Sequence, residues 1–168
     1  MMDGWVPAPK TEEDLFTMSS KLTAAQAAIS ALLPSLRASD AFGLVVFHEQ
    51  AREVVPLQVV GEPVGAFYSR VVDRVSEIQV GGGTKLLSGM ELATKMMLQQ
   101  YGANTTLEKR LVLITDMQDT SEDAEGPDAL FALGLENAKR AIYSTYIGVG
   151  VDFNTEVSRD CRLRCGFD

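Results

Sequence analysis

The sequence predicts an α/β sandwich with a mostly parallel central sheet. In four segments apolar residues recur every three or four positions, the spacing of helices that bury one face. Between them lie continuous apolar runs rich in β-branched residues, Ala41–Phe47 and Arg110–Asp116, typical of strands buried on both faces. Strands that alternate with helices in this way favour a parallel sheet covered by helices.

The first half of the chain predicts one helix and two strands. We expect residues 1–19 to be loop and Ser20–Leu36 to be helical, with Pro34 kinking or ending that helix in its last turn. The strand Ala41–Phe47 leads through a tight connection into a second strand. Because Pro56 in that second strand cannot donate a ladder hydrogen bond, we place it at a sheet edge.

The second half continues the alternation. Helices are predicted over 64–78, 86–101 and 127–140, and strands over 110–116 and 141–152. Core packing accounts better for Met96 and Met97 than a sulfur-rich binding face does. Residues 20–154 are expected to form one domain, and 155–168 a short segment that starts like a helix and soon stops.

Composition narrows the classes of function. A net charge of −8 and a pI near 4.7 argue against nucleic acid or an anionic membrane as the main partner. No apolar run approaches the roughly 20 residues of a membrane span. Because the first residues lack the features of a signal peptide, an intracellular location is favoured, unless the true start lies upstream.

Metal sites built on cysteine and histidine are also disfavoured. Cys161 and Cys165 lie four residues apart, and the single histidine, His48, is distant in sequence. Structural zinc sites normally need four such ligands. Whether the two cysteines form a disulfide or stay as free thiols is left open.

The residues with the clearest chemical signal surround a glycine turn. Gly81, Gly82 and Gly83 precede Thr84 and open onto a helix, where backbone N–H groups are unpaired. Asp116 ends a predicted buried strand, and ligands of open α/β sheets bind at the carboxyl ends of strands. A hydroxyl and a carboxylate that converge there would suit Mg²⁺, which takes oxygen ligands. The alternative for Asp116 is a carboxylate that caps a local turn.

Four segments, in order and at plausible spacing, resemble the von Willebrand factor type A domain over roughly Leu22–Asn154. These segments are LRASDAFGLVVFHEQA, GGGTKLLSGMELA, KRLVLITDMQD and YIGVGVDFN. The resemblance implies a three-layer, Rossmann-like sandwich, mostly parallel with one antiparallel edge strand. It also implies a metal-ion-dependent adhesion site on the rim of the sheet, where an acidic residue of a partner protein completes the coordination of a divalent cation.

The resemblance assigns roles to individual residues. Thr84 and Asp116 match the family's metal ligands, and Gly82 and Gly83 match the loop that shapes the site. Asp119 would contact the metal's waters or the partner, or be a solvated loop acid. The cation would be Mg²⁺, Mn²⁺ or Ca²⁺.

One part of the family pattern has no counterpart here. The family's central first strand and its Asp-x-Ser-x-Ser loop are missing, and MDGW at the start resembles the residues just beyond that loop. The strand would lie between Ala41–Phe47 and Arg110–Asp116, where each unpaired buried backbone group costs about 1–3 kcal/mol. We favour a true start upstream. The alternatives are flanking strands that close on each other with loss of the metal, or a central strand supplied by a partner.

Three functions are weighed as expectations. The first is a protein-binding module that uses a cation, and the second is a scaffold domain without metal. A nucleotide-binding enzyme is disfavoured because GGGTK lacks the residue order of a P-loop. No Ser-His-Asp or Cys-His arrangement can be assembled around the single histidine.

Overall fold

The computed structural model describes residues 12–79, 85–102, 106–115 and 126–149 of the chain. Within these ranges the helices and strands are, in order, α1 Glu12–Leu32, β1 Ala41–Phe47, β2 Ala51–Val59, α2 Val64–Ser76, α3 Leu86–Tyr101, β3 Lys109–Thr115, α4 Gly126–Lys139 and β4 Ile142–Gly148. None of the helices described there has both the length and the apolar character needed to cross a membrane.

Helix α1 begins earlier than the sequence pattern predicts. It starts at Glu12, so the loop predicted for residues 1–19 is wrong over residues 12–19, which are helical. The acidic residues at its start explain the difference, because negative charge stabilises the first turn of a helix. The predicted end is confirmed, since a 3₁₀ turn over Leu33–Ser35, with Pro34 inside it, comes directly after the helix.

Strands β1 and β2 form an antiparallel hairpin joined by residues 48–50. Strand β2 pairs only with β1 among the described residues, as the edge position predicted from Pro56 requires. The burial predicted for β1 is wrong, because all seven of its residues are partly exposed. On its other side β1 has no partner strand within the described part of the chain.

Strands β3 and β4 form a parallel pair, connected through α4. The prediction that β3 is buried on both faces is also wrong, because its residues alternate between buried and exposed. Leu111, Leu113 and Ile142 turn one face of this pair toward α3 and α4. On the opposite face Val112 and Tyr143 are exposed.

The two strand pairs have separate hydrophobic cores. One core is formed by Leu86, Met90, Leu111, Leu113, Leu130, Phe131 and Ile142. The other core is formed by Leu33, Val55, Val60, Phe67, Val71, Val75 and Ile78. Helix α3 contacts both pairs, and Phe47 of β1 packs against the first core. Within the described ranges no strand joins β1 to β3, so the predicted central position between them is not filled by a described strand.

A buried polar pair connects α3 to α4. The amide Nδ2 of Asn137 donates to the hydroxyl of Thr94 at 2.8 Å, and Asn137 is fully buried. Replacing Thr94 with Val should lower the free energy of unfolding by about 1–3 kcal/mol, because it leaves a buried amide donor unpaired. Denaturant unfolding at constant m-value would measure the loss.

The double variant Thr94→Val/Asn137→Leu is the matched control for this pair. Replacing both partners by apolar groups of similar shape can be nearly neutral, so the double variant should regain most of the loss. A double variant as unstable as the sum of the two single variants would contradict the coupling.

Candidate functional site

The residues predicted to form the site lie outside the described ranges. This applies to Thr84, Asp116, Gly82, Gly83 and Asp119 alike. Their described neighbours in the chain, however, show how the two loops are anchored.

The loop that carries Thr84 ends at a residue bound to the end of β1. The backbone N–H of Lys85 donates to the carbonyl of His48 at 2.7 Å. One residue later Leu86 starts α3 and is 2% exposed. The loop therefore enters α3 beside the carboxyl end of β1.

The loop that carries Asp116 leaves β3 at a residue bound to the end of β4. Thr115 is buried and pairs in register with Gly148, and its carbonyl accepts a hydrogen bond from the N–H of Val149 at 3.1 Å. The two parallel strands thus end at the same level. Hydrogen bonding to β4 therefore holds Thr115, the residue directly before Asp116 in the sequence.

The start of α3 and the end of β3 share one core. Leu86 and Leu113, two and three residues from the predicted ligands, belong to the same buried cluster. The start of α3 therefore packs in the cluster that includes Leu113, two residues before the end of β3.

Sequence reasoning missed the two polar contacts that fix this region. The Lys85–His48 bond joins backbone atoms, so no side-chain pattern could have indicated it. Thr94 and Asn137 both lie on the apolar faces of their helices, and a polar residue in such a position was an available signal for a buried pair.

The described residues hold no ready-made metal site of the histidine, cysteine or carboxylate type. Within those ranges no three such side chains cluster closely enough to hold an ion. His48 lies in the turn between β1 and β2, as predicted, and is partly buried.

A shallow, open groove of about 490 Å³ runs along α3 and reaches α4. It is lined by Glu91, Thr94, Lys95, Leu98, Gln99 and Leu133. Of these lining residues, Glu91, Lys95 and Gln99 are exposed, Leu98 and Leu133 are partly buried, and Thr94 is buried. Drug-sized ligands are usually enclosed over most of their surface, which a groove this open does not offer.

One carboxylate on α4 has a shifted pKa. A hydrogen bond from Lys139, 2.6 Å from Nζ to Oε1, and the charge of that lysine lower the pKa of Glu136. Arg140 lowers it further from 4.0 Å. The group is exposed and held in its charged form, which is the property of a surface ion pair.

Comparison with known proteins supports the fold described above. The profile of the von Willebrand factor type A domain matches residues 12–118. A search of curated proteins finds no match.

Solved structures of the same fold are similar at low sequence identity. A von Willebrand factor type A protein from Catenulispora acidiphila superposes with a TM-score of 0.72 and 20% identity, over 87% of this chain and 33% of that one. The manganese-loaded TRAP protein of Plasmodium vivax superposes with a TM-score of 0.68 and 17% sequence identity, over 90% of this chain and 57% of that one. An aerotolerance-related membrane protein from Bacteroides fragilis superposes with a TM-score of 0.66 and 17% sequence identity, over 86% of this chain and 77% of that one.

These likenesses confirm the α/β fold class, with one parallel and one antiparallel strand pair in the described residues. The matched residues cover more than half of the sequence and include every described helix and strand from α1 to β3. The chain belongs to the von Willebrand factor type A domain family.

Proposed function

We propose that this chain is a protein-binding domain that engages an acidic residue of its partner through a divalent cation, Mg²⁺, Mn²⁺ or Ca²⁺. Domains of this family are typically protein-interaction modules and generally non-catalytic. In the proposal Thr84 and Asp116 are the metal ligands, and Gly82 and Gly83 shape the loop. Asp119 contacts the metal's waters or the partner.

The observation that carries the proposal is the common anchoring of the two loops. Leu86, two residues after Thr84, and Leu113, three residues before Asp116, lie in one core. This shared core supports the proposal that residues 84 and 116 reach the same edge of the β3–β4 pair. The Lys85–His48 hydrogen bond holds the first of these loops against β1 as well.

The chemistry of the donor set fits a hard cation. A threonine hydroxyl and an aspartate carboxylate are oxygen donors, which Mg²⁺ prefers, and Mg²⁺ commonly keeps several of its waters. Two protein ligands alone bind a cation weakly, so a carboxylate from a partner would substantially raise the affinity of the site for the ion. The manganese in the TRAP structure, a neighbour in fold, makes Mn²⁺ a natural second probe.

A thermal melt with and without millimolar Mg²⁺ or Mn²⁺ tests the proposal. A cation at 100 times its dissociation constant adds about 2.7 kcal/mol to the free energy of unfolding. For a chain of this size that corresponds to a rise in Tm of roughly 5–10 °C. Asp116→Asn should abolish the rise, because it removes the carboxylate from the proposed pair of metal ligands.

Glu108→Gln is the matched control, since it removes one exposed carboxylate that precedes the amino end of β3, whereas Asp116 follows the carboxyl end of that strand. It should leave the response to metal unchanged. If neither cation changes the Tm, the alternative of a metal-independent scaffold domain is favoured. Stabilisation by a nucleotide would favour the enzyme instead.

A further inference from the structure

The end of β1 contacts the first turn of α3 at two points, which we call the β1–α3 junction. The carbonyl of His48 accepts a hydrogen bond from the backbone N–H of Lys85 at 2.7 Å. The ring of the preceding residue, Phe47, lies against Gly89, where a Cβ would come within 2.5 Å of its Cδ1. Because Lys85 and Gly89 are four residues apart, they lie on the same side of the helix, one turn from each other.

The contact at Gly89 leaves no room for a side chain. Gly89 is buried, and Cγ and Cβ of Phe47 would lie 2.7 and 3.1 Å from an added Cβ. Carbon atoms in contact are normally about 3.5–4.0 Å apart. Glycine therefore permits the close approach of β1 and α3 at which His48 and Lys85 meet.

The start of α3 depends on this junction more than on its own first helical bond. The hydrogen bond from the N–H of Gly89 to the carbonyl of Lys85 is 3.5 Å long. N–H···O bonds in proteins are typically about 2.7–3.2 Å long, a range that includes the bond between Lys85 and His48. The position of Lys85 is therefore set largely by β1.

We propose that Phe47 and Gly89 are positioning residues for the cation site. By holding Lys85 against the end of β1, they set the place at which the loop that carries Thr84 joins α3. Neither residue is a ligand, since neither has an oxygen donor in its side chain. The inference rests on the proposed function for the cation, whereas the junction itself is seen in the described residues.

The first turn of α3 is held from a second direction as well. Leu86 packs in the core that includes Leu113 of β3, the strand that Asp116 follows. The junction and this core together fix the start of α3 between β1 and β3. Because a metal site loses affinity when the residues that support its ligands are disturbed, a disturbed junction should weaken cation binding.

Two measurements on the full chain at low temperature test the proposal. The first is the Kd for Mn²⁺, obtained from the free ion by electron paramagnetic resonance. The second is hydrogen exchange of the Lys85 amide, followed by NMR. Gly89→Ala should raise the Kd about tenfold, an effect typical of changing a supporting residue. The Lys85 amide should exchange about tenfold faster, because its bond to His48 opens more often.

Thr94→Val is the matched control. Thr94 lies on the same helix, about 13 Å along its axis from Lys85. Its substitution is also expected to destabilise the domain, but its partner is Asn137 on α4. This variant should lower the Tm, yet leave the Kd for Mn²⁺ and the exchange of the Lys85 amide within about twofold of the unsubstituted chain, since distant sites act independently.

The double variant Phe47→Leu/Gly89→Ala exchanges the sizes of the two contacting groups. Phe47→Leu alone leaves a gap at the junction and should also raise the Kd for Mn²⁺. The double variant should bind Mn²⁺ more tightly than Gly89→Ala, because the smaller side chain admits the added methyl group. Phe47→Leu is the test variant if circular dichroism shows that Gly89→Ala is unfolded.

Failure of the inference can be told from failure of the proposed function. If the unsubstituted chain does not bind Mn²⁺, the proposed function is wrong and the positioning role is lost with it. If that chain binds Mn²⁺ and Gly89→Ala has the same Kd, the function stands and the positioning role is wrong, whatever the exchange rate. A Thr94→Val variant that binds Mn²⁺ as weakly as Gly89→Ala would also overturn the positioning role, because the effect would then follow general stability.

Discussion

Phe67→Ala is expected to lower the free energy of unfolding by about 3–5 kcal/mol, the usual cost of removing a buried phenylalanine ring. Phe67 is 1% exposed on α2 and belongs to the core beneath β1 and β2. Its ring meets Phe42 edge to face at 6.0 Å, and Arg70 lies 5.9 Å from its centroid. Alanine would leave a cavity and remove both contacts.

Guanidinium unfolding would measure this loss against Val72→Ala. Val72 lies on the same helix but is 41% exposed, so its truncation should cost less than about 1 kcal/mol. Because whole domains are stable by only about 5–15 kcal/mol, Phe67→Ala should expose much of the chain to proteolysis at 37 °C. A loss similar to that of Val72→Ala would contradict the packing described for α2.

Gly89→Ala should destabilise the domain by about 1–3 kcal/mol, although alanine is the better helix former. A Cβ at Gly89 would lie 2.5 Å from Cδ1 and 2.7 Å from Cγ of Phe47. The ring must therefore move, and Phe47 is the residue of β1 that packs against the core shared by α3 and β3. Thermal or denaturant unfolding would measure the effect.

Gly65→Ala provides the control for Gly89→Ala. Gly65 also lies in a helix, but a Cβ there meets nothing within 4 Å. It should therefore stabilise the chain by about 0.4–1 kcal/mol. Phe47→Leu should reduce the penalty of Gly89→Ala, since a smaller side chain leaves room for the methyl group. A Gly89→Ala variant as stable as Gly65→Ala would mean that α3 and β1 do not approach closely.

The periodic parts of the fold can be predicted from the sequence. The predicted bounds of α3 are confirmed, because Leu86, Met90 and the later residues of the helix keep one face apolar to its end. The start of α1 cannot be predicted in this way, because its first turn depends on charge and not on an apolar face. The apolar runs of β1 and β3 predict strands correctly but not their exposure, which depends on which elements cover them.

For the candidate site, the sequence predicts the type of ligand atoms but not the contacts that hold the two loops in place. The glycine turn with Thr84, and Asp116 at the end of a strand, indicate oxygen ligands, and both remain predictions because they lie outside the described residues. No local pattern could supply the anchoring of their loops. It depends on a backbone bond between Lys85 and His48 and on a core shared by Leu86 and Leu113, contacts between residues far apart in sequence.

The unpaired side of β1 has a consequence for the solubility of the protein. The other edge of the hairpin belongs to β2, which contains the charged residues Arg52 and Glu53 and the proline Pro56. Charged side chains and proline on an edge strand hinder its pairing with the edge of another sheet. Strand β1, AFGLVVF, has neither a charge nor a proline, and within the described residues it pairs on one side only. A preparation in which nothing covers that edge would therefore aggregate through β1, and charged substitutions elsewhere on the surface would do little to prevent it.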